Sequence, residues 1–278
     1  MRLTPKQLRG LAEDGFLVIP DRFTSLEVAA LERRIPSLCA EHCDANIHEK
    51  DTNSVRMTMA LHKRDDLFAR LVVDPRLIAP VQQIFREPFY IQQTKVNQKM
   101  PMSRDVWQWH HDFGNHHYLD GVERPLALNV HVFLDDVTPF NGPICFVPGS
   151  HADKHGHLKQ HPVEYDDKTT SFPVFAVTPD ALHANIRRAR VRNGNQGIVA
   201  ATGNKGSMLI FFDTVLHCSP ANFSPWKRTI FSMIVNPISN QPANTERPDH
   251  LHHQDRRPIV ASTEPDLFAG FDKRAMKW

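Results

Sequence analysis

The sequence predicts a mainly β fold with flanking helices, built around a double-stranded β-helix, a jelly-roll or cupin-like core. Helical patterns dominate roughly the first 85 residues, whereas from Phe89 onward several short apolar runs are separated by turns that contain Gly and Pro. Successive strands bounded by such turns are typical of a sandwich or barrel, and not of alternating β and α units. The sequence contains no internal repeat.

A clear helix start marks the beginning of the N-terminal region. Thr4-Pro5-Lys6-Gln7 combines a capping hydroxyl, a proline in the first turn and a Gln three residues after the cap, and Gly15 ends this helix. Phe16 to Ile19 is a short apolar run that fits a buried strand. A second helix is predicted from Thr24 to about Cys43, with Pro36 bending or shortening it.

The next stretch is predicted to contain a loop and then more helix. Residues 44–54 are polar and fit a loop, and Asp65 to Phe85 is expected to form two short helices broken at Asp74-Pro75. These elements complete an N-terminal helical region from about residue 4 to residue 85.

The strands of the core are predicted from alternation and from apolar runs between turns. They are Phe89–Asn97, Leu126–Leu134, Ile144–Val147, Ser207–Phe212 and Arg228–Asn236. A polar loop from His151 to about Thr170 is followed by a helix that starts at Thr178-Pro179-Asp180 and ends near Arg192. The segment 153–197 is long and lies between strands, so it could serve as a lid.

We therefore expect one domain over residues 1–278, although the length alone would also allow two small domains. Its parts are the N-terminal helices, a core over about 89–236 that includes the lid, and a tail over 237–278 without periodicity. Histidines 250, 252 and 253 in this tail are expected to lie on the solvated surface.

Composition excludes several classes of function. A formal net charge of +2 is close to balance, which argues against a nucleic-acid partner or a polybasic membrane role. Four cysteines in 278 residues favour reduced thiols over a disulfide framework. No signal-like leader and no run of the roughly eighteen apolar residues needed for a membrane span are found. We expect a soluble, cytoplasmic protein; its oligomeric state leaves no signal in the sequence.

The stretch Trp107-Gln-Trp-His-His-Asp-Phe113 is the predicted working centre. In an extended segment residues two apart point to the same side, so His110 and Asp112 would aim an imidazole and a carboxylate at one point. With His217, which follows a predicted strand, they would form the facial two-histidine, one-carboxylate arrangement of non-haem Fe(II) oxygenases. The alternative is chance, because a chain with 17 histidines produces His-x-Asp patterns without any metal.

Arg228 opens another predicted strand eleven residues after His217. A hairpin-like return of this length could bring its planar guanidinium beside the metal, where it could hold the far carboxylate of a dicarboxylic acid through two hydrogen bonds. A lone Arg at a strand start is otherwise usually a solvated surface residue. The order and spacing of His110, Asp112, His217 and Arg228 together favour the site.

These residues belong to a set of motifs by which the chain resembles the phytanoyl-CoA dioxygenase superfamily of Fe(II)/2-oxoglutarate oxygenases. The likeness extends to its bacterial branch with ectoine hydroxylase, L-proline trans-4-hydroxylase and a leucine 5-hydroxylase. The motifs cover nearly the whole chain and include Asp14-Gly-Phe-Leu-Val-Ile19, Gln93-Thr-Lys-Val-Asn97, Trp107-Gln-Trp-His-His-Asp112, Asn141-Gly-Pro143, Val147-Pro-Gly-Ser-His151, His217-Cys-Ser219 and Arg228.

The resemblance implies a role for each matching position. His110, Asp112 and His217 match the iron ligands, and Arg228 matches the arginine that pairs with the distal carboxylate of 2-oxoglutarate. Three further positions match the lining of the co-substrate pocket: Asn97, Trp107 and Ser219. Gln93 and Asn129 match positions that face the substrate. The implied cofactors are Fe(II), 2-oxoglutarate and O2, although Gln93, Asn97 and Trp107 could also be ordinary strand or core residues.

Two positions bear on the reaction and on the substrate. Halogenating relatives carry a small residue in place of the carboxylate, so Asp112 implies hydroxylation or a related oxidation. Relatives in the ectoine and proline branch carry a tryptophan a few residues after the aspartate, where this chain has His116 in the stretch Phe113-Gly-Asn-His-His-Tyr118. We expect His116 to make the pocket more polar, and the substrate to be more polar than ectoine or proline.

The function implied is hydroxylation of an unactivated C–H bond of a free amino acid or similar small zwitterion, with succinate and CO2 as products. One alternative is the same chemistry on a carrier-tethered or acyl-CoA substrate. Another is a jelly-roll protein that binds a metal without turnover.

Overall fold

The computed structural model describes residues 2–49, 54–152, 163–165, 174–192, 194, 196–243 and 246–263. The helices are α1 (Pro5–Asp14), α2 (Ser25–Cys39), α3 (Leu61–Arg64), α4 (Asp66–Leu71), α5 (Pro75–Phe85), α6 (Asp112–Asp120) and α7 (Pro179–Arg192). The strands are β1 (Phe16–Ile19), β2 (Asn46–His48), β3 (Val55–Met59), β4 (Phe89–Lys99), β5 (Trp107–His110), β6 (Leu128–Phe133), β7 (Ile144–Phe146), β8 (Val163–Tyr165), β9 (Val174–Ala176), β10 (Val199–Ala201), β11 (Met208–Phe212), β12 (His217–Ser219) and β13 (Arg228–Pro237).

The strands form two sheets. The large sheet has the order β1-β11-β6-β13-β4-β3-β2, and the small sheet has the order β10-β7-β12-β5-β9-β8. Every pairing between the described strands is antiparallel. This architecture of two antiparallel sheets with helices beside them confirms the predicted mainly β class.

The central strands β6 and β13 are buried along their whole length because both faces of the large sheet are covered. Alternate side chains of a strand point to opposite faces. One set packs against the helices: Leu128, Val130, Val132, Phe231, Met233 and Val235. Each such apolar side chain contributes about 1.5–3 kcal/mol when fully buried. The other set, which includes Asn129, His131, Arg228 and Ser232, faces the space between the two sheets.

The predicted helix starts are confirmed. Thr4 and Thr24 both accept a hydrogen bond from the backbone three residues on, while Gln7 and Glu27 bond back to the cap, which makes two complete capping boxes. Gly15 ends α1 with φ +86°, a conformation that favours glycine. The break before Pro75 is also confirmed.

Three predicted boundaries are wrong. Helix α2 contains Pro36 but ends at Cys39, four residues early. Strand β2 lies inside the predicted loop 44–54, and its three residues are too few for alternation to be visible. The predicted loop 151–170 contains β8, whereas most of that loop, and most of the proposed lid before α7, lie outside the described residues.

The described part of the tail packs against the large sheet, although its histidines were predicted to be solvated. Strand β3 pairs with β4 only at residues 95–97, so the first part of β4 has a free edge. Backbone N–H groups of the tail pair with the carbonyl groups of this edge. The N–H of His253 donates to the carbonyl of Gln92 at 2.8 Å, and the N–H of Ile259 donates to the carbonyl of Phe89 at 2.9 Å. His252 and His253 are consequently buried and not solvated.

No helix in these described ranges is both long and apolar enough to cross a membrane.

Candidate active site

A cavity of about 340 Å³ lies between the two sheets. The large sheet contributes a polar row from β4, β6 and β13, and the small sheet contributes residues of β5, β7 and β12. Helix α6 and the tail segment 247–251 close the remaining sides. The volume suits a small molecule.

Two histidines from neighbouring strands meet at the end of this cavity. His110 is the last residue of β5, and the antiparallel register places His217 of β12 directly opposite it. A backbone carbonyl orients each ring through its Nδ1–H. That of His110 donates to the carbonyl of Gln108 at 2.6 Å, and that of His217 donates to the carbonyl of Val215 at 3.0 Å. Both Nε2 atoms are therefore left with lone pairs, as a metal ligand requires.

Asp112 supplies a carboxylate oxygen to the same point. Its Oδ1 lies 3.6 Å from Nε2 of His110 and 3.8 Å from Nε2 of His217, while its Oδ2 accepts from Nδ2 of Asn129 at 2.9 Å. One donor atom from each of His110, Asp112 and His217 lies within 4.8 Å of the other two. This donor set fits a divalent transition metal held on one face.

The route by which Asp112 reaches this point differs from the prediction. Strand β5 ends at His110, His111 is the N-cap, and Asp112 is the first residue of α6. The spacing of two residues thus crosses a strand end and a helix start instead of following one extended segment. The two side chains still converge.

The three groups perturb one another electrostatically. Burial would raise the pKa of Asp112, but the imidazoles of His217 and His110 and the ammonium of Lys95 hold it well below its usual range. Burial and the neighbouring His110 lower the pKa of His217 to about 4. At neutral pH the site therefore presents a carboxylate and a neutral imidazole, the forms that bind a metal.

Arg228 lies at the start of β13 and is buried. Its Nε donates to the carbonyl of Gly142 at 3.0 Å, one terminal nitrogen donates to Oδ1 of Asn97 at 3.1 Å, and the other donates to Oγ of Ser219 at 3.3 Å. Burial lowers the pKa of Arg228 to about 10. Among the described residues no carboxylate lies within ion-pair distance of this guanidinium. The arrangement could accept an anion from the cavity.

Trp107 lies on β5 in the cavity wall, with the guanidinium of Arg56 over its ring at 4.1 Å from the centroid. This contact helps to fix the orientation of the indole. The structure thus brings Arg228, Asn97, Ser219 and Trp107 to one part of the cavity.

The three positions predicted to face the substrate also line the cavity. Gln93 donates to the carbonyl of Leu251 at 2.5 Å and accepts from the ammonium of Lys95 at 2.9 Å. The side-chain amide of Asn129 donates a hydrogen bond to Asp112, so Asn129 orients that carboxylate. His116 lies one helical turn after Asp112, on the same face of α6.

Sequence reasoning missed several lining residues. Lys95 lies two residues from both Gln93 and Asn97, and His131 lies two residues after Asn129, so strand alternation applied to the same two strands would have found them. A hydrogen bond of 2.6 Å joins the hydroxyl of Ser232 to Nε2 of His131.

The tail contributes two more lining residues, Arg247 and Leu251. Arg247 is held by Asp120 at the end of α6 through two contacts of 2.6 Å, and His252 lies 3.0 Å from the same carboxylate. No local pattern in the sequence connects residues more than 120 positions apart.

Comparison with known proteins places this geometry in context. Residues 11–230 match the family model described as phytanoyl-CoA dioxygenase (PhyH). L-proline trans-4-hydroxylase from Streptomyces griseoviridis is 32% identical over 89% of this chain and 91% of its own length.

Two solved structures are similar over most of the chain. The crystal structure of EctD from S. alaskensis with bound Fe superposes with a TM-score of 0.77 at 28% identity, covering 94% of this chain and 87% of that one. The EctD structure with 2-oxoglutarate and 5-hydroxyectoine gives a TM-score of 0.75 at 27% identity, covering 95% and 86%. The likeness confirms the predicted jelly-roll fold.

Proposed function

Because the chain belongs to the phytanoyl-CoA dioxygenase family, we propose that this non-haem Fe(II)/2-oxoglutarate-dependent dioxygenase hydroxylates an unactivated C–H bond of a free amino acid or similar small zwitterion. The names of its relatives support the substrate class, since one is a hydroxylase of L-proline and others are ectoine dioxygenases. The cavity volume of about 340 Å³ is also compatible with a small substrate next to 2-oxoglutarate.

His110, Asp112 and His217 would hold the Fe(II). The observation that carries the proposal is the convergence of their three donor atoms at the end of the cavity, with both imidazoles preset by backbone carbonyls. When bound, Fe(II) supplies the activation of dioxygen, and 2-oxoglutarate supplies two electrons as it is converted to succinate and CO2. The side chains of the protein bind and orient the reactants.

Arg228 would bind the distal carboxylate of 2-oxoglutarate, with Ser219 and Asn97 beside it and Trp107 in the adjoining wall. A buried guanidinium without a carboxylate partner is costly, and an incoming carboxylate would compensate it. The hydrogen bonds from Arg228 to Asn97 and Ser219 hold the planar group in position before the co-substrate arrives.

The substrate would lie along the row Gln93, Lys95 and Asn129 and against His116. Lys95 is positioned for an anionic group, because its ammonium points into the cavity and its nearest hydrogen-bond partner is the neutral amide oxygen of Gln93. A substrate carboxylate near Lys95 would leave the remainder of the molecule next to the iron position. In this arrangement the protein selects the target C–H bond by orientation.

The test is to load the protein with Fe(II) and 2-oxoglutarate without oxygen, add single L-amino acids and ectoine, admit air, and follow products by mass spectrometry. We expect a gain of one oxygen atom on an amino acid together with succinate in equal amount. Thioester forms of the same amino acids test the carrier-tethered alternative. The proposal would be contradicted if only thioesters were oxidised. It would also be contradicted if the protein bound Fe(II) and 2-oxoglutarate but formed no succinate under any condition.

A further inference from the structure

A second polar pair lies behind the cavity wall formed by α6. Nδ1 of His116 is 3.7 Å from Oδ2 of Asp213, which lies between β11 and β12. Asp213 is completely buried, and neither of its carboxylate oxygens has a hydrogen-bond partner among the described residues; Nδ1 of His116 also lacks one. The metal and co-substrate positions described above use neither side chain.

Helix α6 sets the direction of His116. The helix residues that line the cavity are Asp112, Asn115, His116 and Leu119, a spacing that places them on one face. His116 is therefore one turn from Asp112, beside the place where the reacting C–H bond would lie. Because Nδ1 faces Asp213, the other ring nitrogen, Nε2, is on the opposite edge of the imidazole.

The position of Asp213 limits how the ring of His116 can lie. Burial raises the pKa of Asp213, while the imidazole of His116 and the backbone of Ala127 oppose this rise. Because Nδ1 of the ring is directed at the carboxyl group, Nε2 is the nitrogen left to hydrogen-bond with a group in the cavity.

We propose that His116 is a specificity-determining residue whose Nε2 hydrogen-bonds with a polar group on the substrate, and that Asp213 is the positioning residue that orients its ring. The substrate is then an amino acid with a hydroxyl, carboxamide or carboxylate group near the oxidised carbon. This inference rests on the proposed function and narrows its substrate class. A site that hydrogen-bonds a polar substrate group discriminates strongly against an apolar analogue, since the ring nitrogen is then left unpaired.

The experiment compares amino acids of nearly equal shape: L-asparagine with L-leucine, and L-threonine with L-valine. Wild-type protein and variants are loaded with Fe(II) and 2-oxoglutarate, kcat/KM is measured for each amino acid, and anaerobic calorimetry gives Kd where turnover is slow. We expect wild type to favour the polar member of at least one pair. His116→Leu should lower that preference by about 10- to 100-fold, and His116→Gln, which keeps a donor, should retain most of it.

His117→Leu is the matched control, because His117 is exposed on the same helix and bonds the carbonyl of Val122. Asp213→Asn tests the positioning role through a double-mutant cycle. It should lower the preference in the His116 protein and leave it unchanged in the His116→Gln background, because the glutamine side chain has no imidazole ring for the carboxylate to orient. Circular dichroism and urea unfolding of every variant separate this role from a loss of folding.

The outcomes are distinguishable. If amino acids are oxidised but wild type favours the apolar member of both pairs, or His116→Leu leaves the preference unchanged, only this inference is overturned. An equal effect of Asp213→Asn in both backgrounds would make Asp213 merely structural and overturn its assignment. If no amino acid is bound or oxidised while 2-oxoglutarate is consumed, the proposed substrate class falls and this inference with it.

Discussion

His110 and His217 are cross-strand partners whose ring centroids lie 4.2 Å apart. Their 107-residue separation in the chain is bridged by the register of β5 against β12 in the small sheet. A slip of one residue would turn one ring to the other face of the sheet, so the strand pairing holds the candidate metal site together.

Replacing His217 by alanine should abolish tight Fe(II) binding and turnover. Two remaining donors cannot form the facial site, and the loss of a ligand typically removes far more affinity than the 10- to 100-fold cost of losing an outer partner. Fe(II) binding is measured by anaerobic calorimetry, and folding by circular dichroism. His42→Ala is the control, because His42 is exposed. Full Fe(II) affinity in His217→Ala would refute the ligand assignment.

Replacing Arg228 by lysine should raise the KM for 2-oxoglutarate by about 10- to 100-fold, although the positive charge is retained. The guanidinium donates to Gly142, Asn97 and Ser219 at once, and an ammonium cannot reproduce this planar fork. Initial rates of succinate formation at varied 2-oxoglutarate measure the effect. An unchanged KM would show that the co-substrate carboxylate binds elsewhere.

Replacing Gly142 by alanine should destabilise the protein by about 1–3 kcal/mol and weaken 2-oxoglutarate binding. Gly142 has φ +77°, and a Cβ there would meet the side chain of Lys99 and lie 2.9 Å from the carbonyl of Pro220. The same residue's carbonyl accepts from both Arg228 and Ser219 at 3.0 Å, so a shift of this turn moves the two side chains proposed to bind 2-oxoglutarate.

Gly10→Ala is the matched control for that change. Gly10 lies inside α1 with no heavy atom within 4 Å of the added Cβ, so this substitution should stabilise the protein by about 0.5–1 kcal/mol. Urea unfolding measures both variants. A Gly142→Ala protein as stable as wild type would contradict the argued collision.

Stability should fall as pH is lowered from about 6.5, in part because of His253. Its Nδ1–H donates to the carbonyl of Asp249 at 2.8 Å and its Nε2 accepts from the N–H of Thr94 at 3.2 Å, so only the neutral ring makes both bonds. Burial and the neighbouring His62 lower the pKa of His253 to about 3.

The sign of this effect follows from linkage. The unfolded chain takes up a proton near pH 6.5 and the folded chain only near pH 3, so the stabilisation is complete above pH 6.5 and is lost as pH falls toward 3, at up to about 1.4 kcal/mol per pH unit. Urea unfolding between pH 7 and 4 should give a shallower dependence for His253→Gln. His42→Gln should keep the wild-type slope, and equal slopes for all three proteins would exclude His253 as the cause.

The local elements were predictable where their signals are local. Thr4 and Gln7, or Asp74 and Pro75, lie within a few residues of one another, and caps and breaks depend on just such neighbours. Strand β2 is not predicted because three residues carry no period. Helix α6 is not predicted because it lacks a clear amphipathic pattern and because the spacing of His110 and Asp112 fits an extended segment.

The sequence by itself determined the residue types of the candidate site and their order: His110, Asp112, His217 and Arg228, together with the capped helices and the apolar strands. Only the tertiary structure decided which groups meet. Sheet register places His217 against His110, the free edge of β4 binds the tail whose histidines were predicted to be solvated, and Asp213 is buried behind His116. These are contacts between distant segments, whose energies depend on packing and desolvation that no local pattern records.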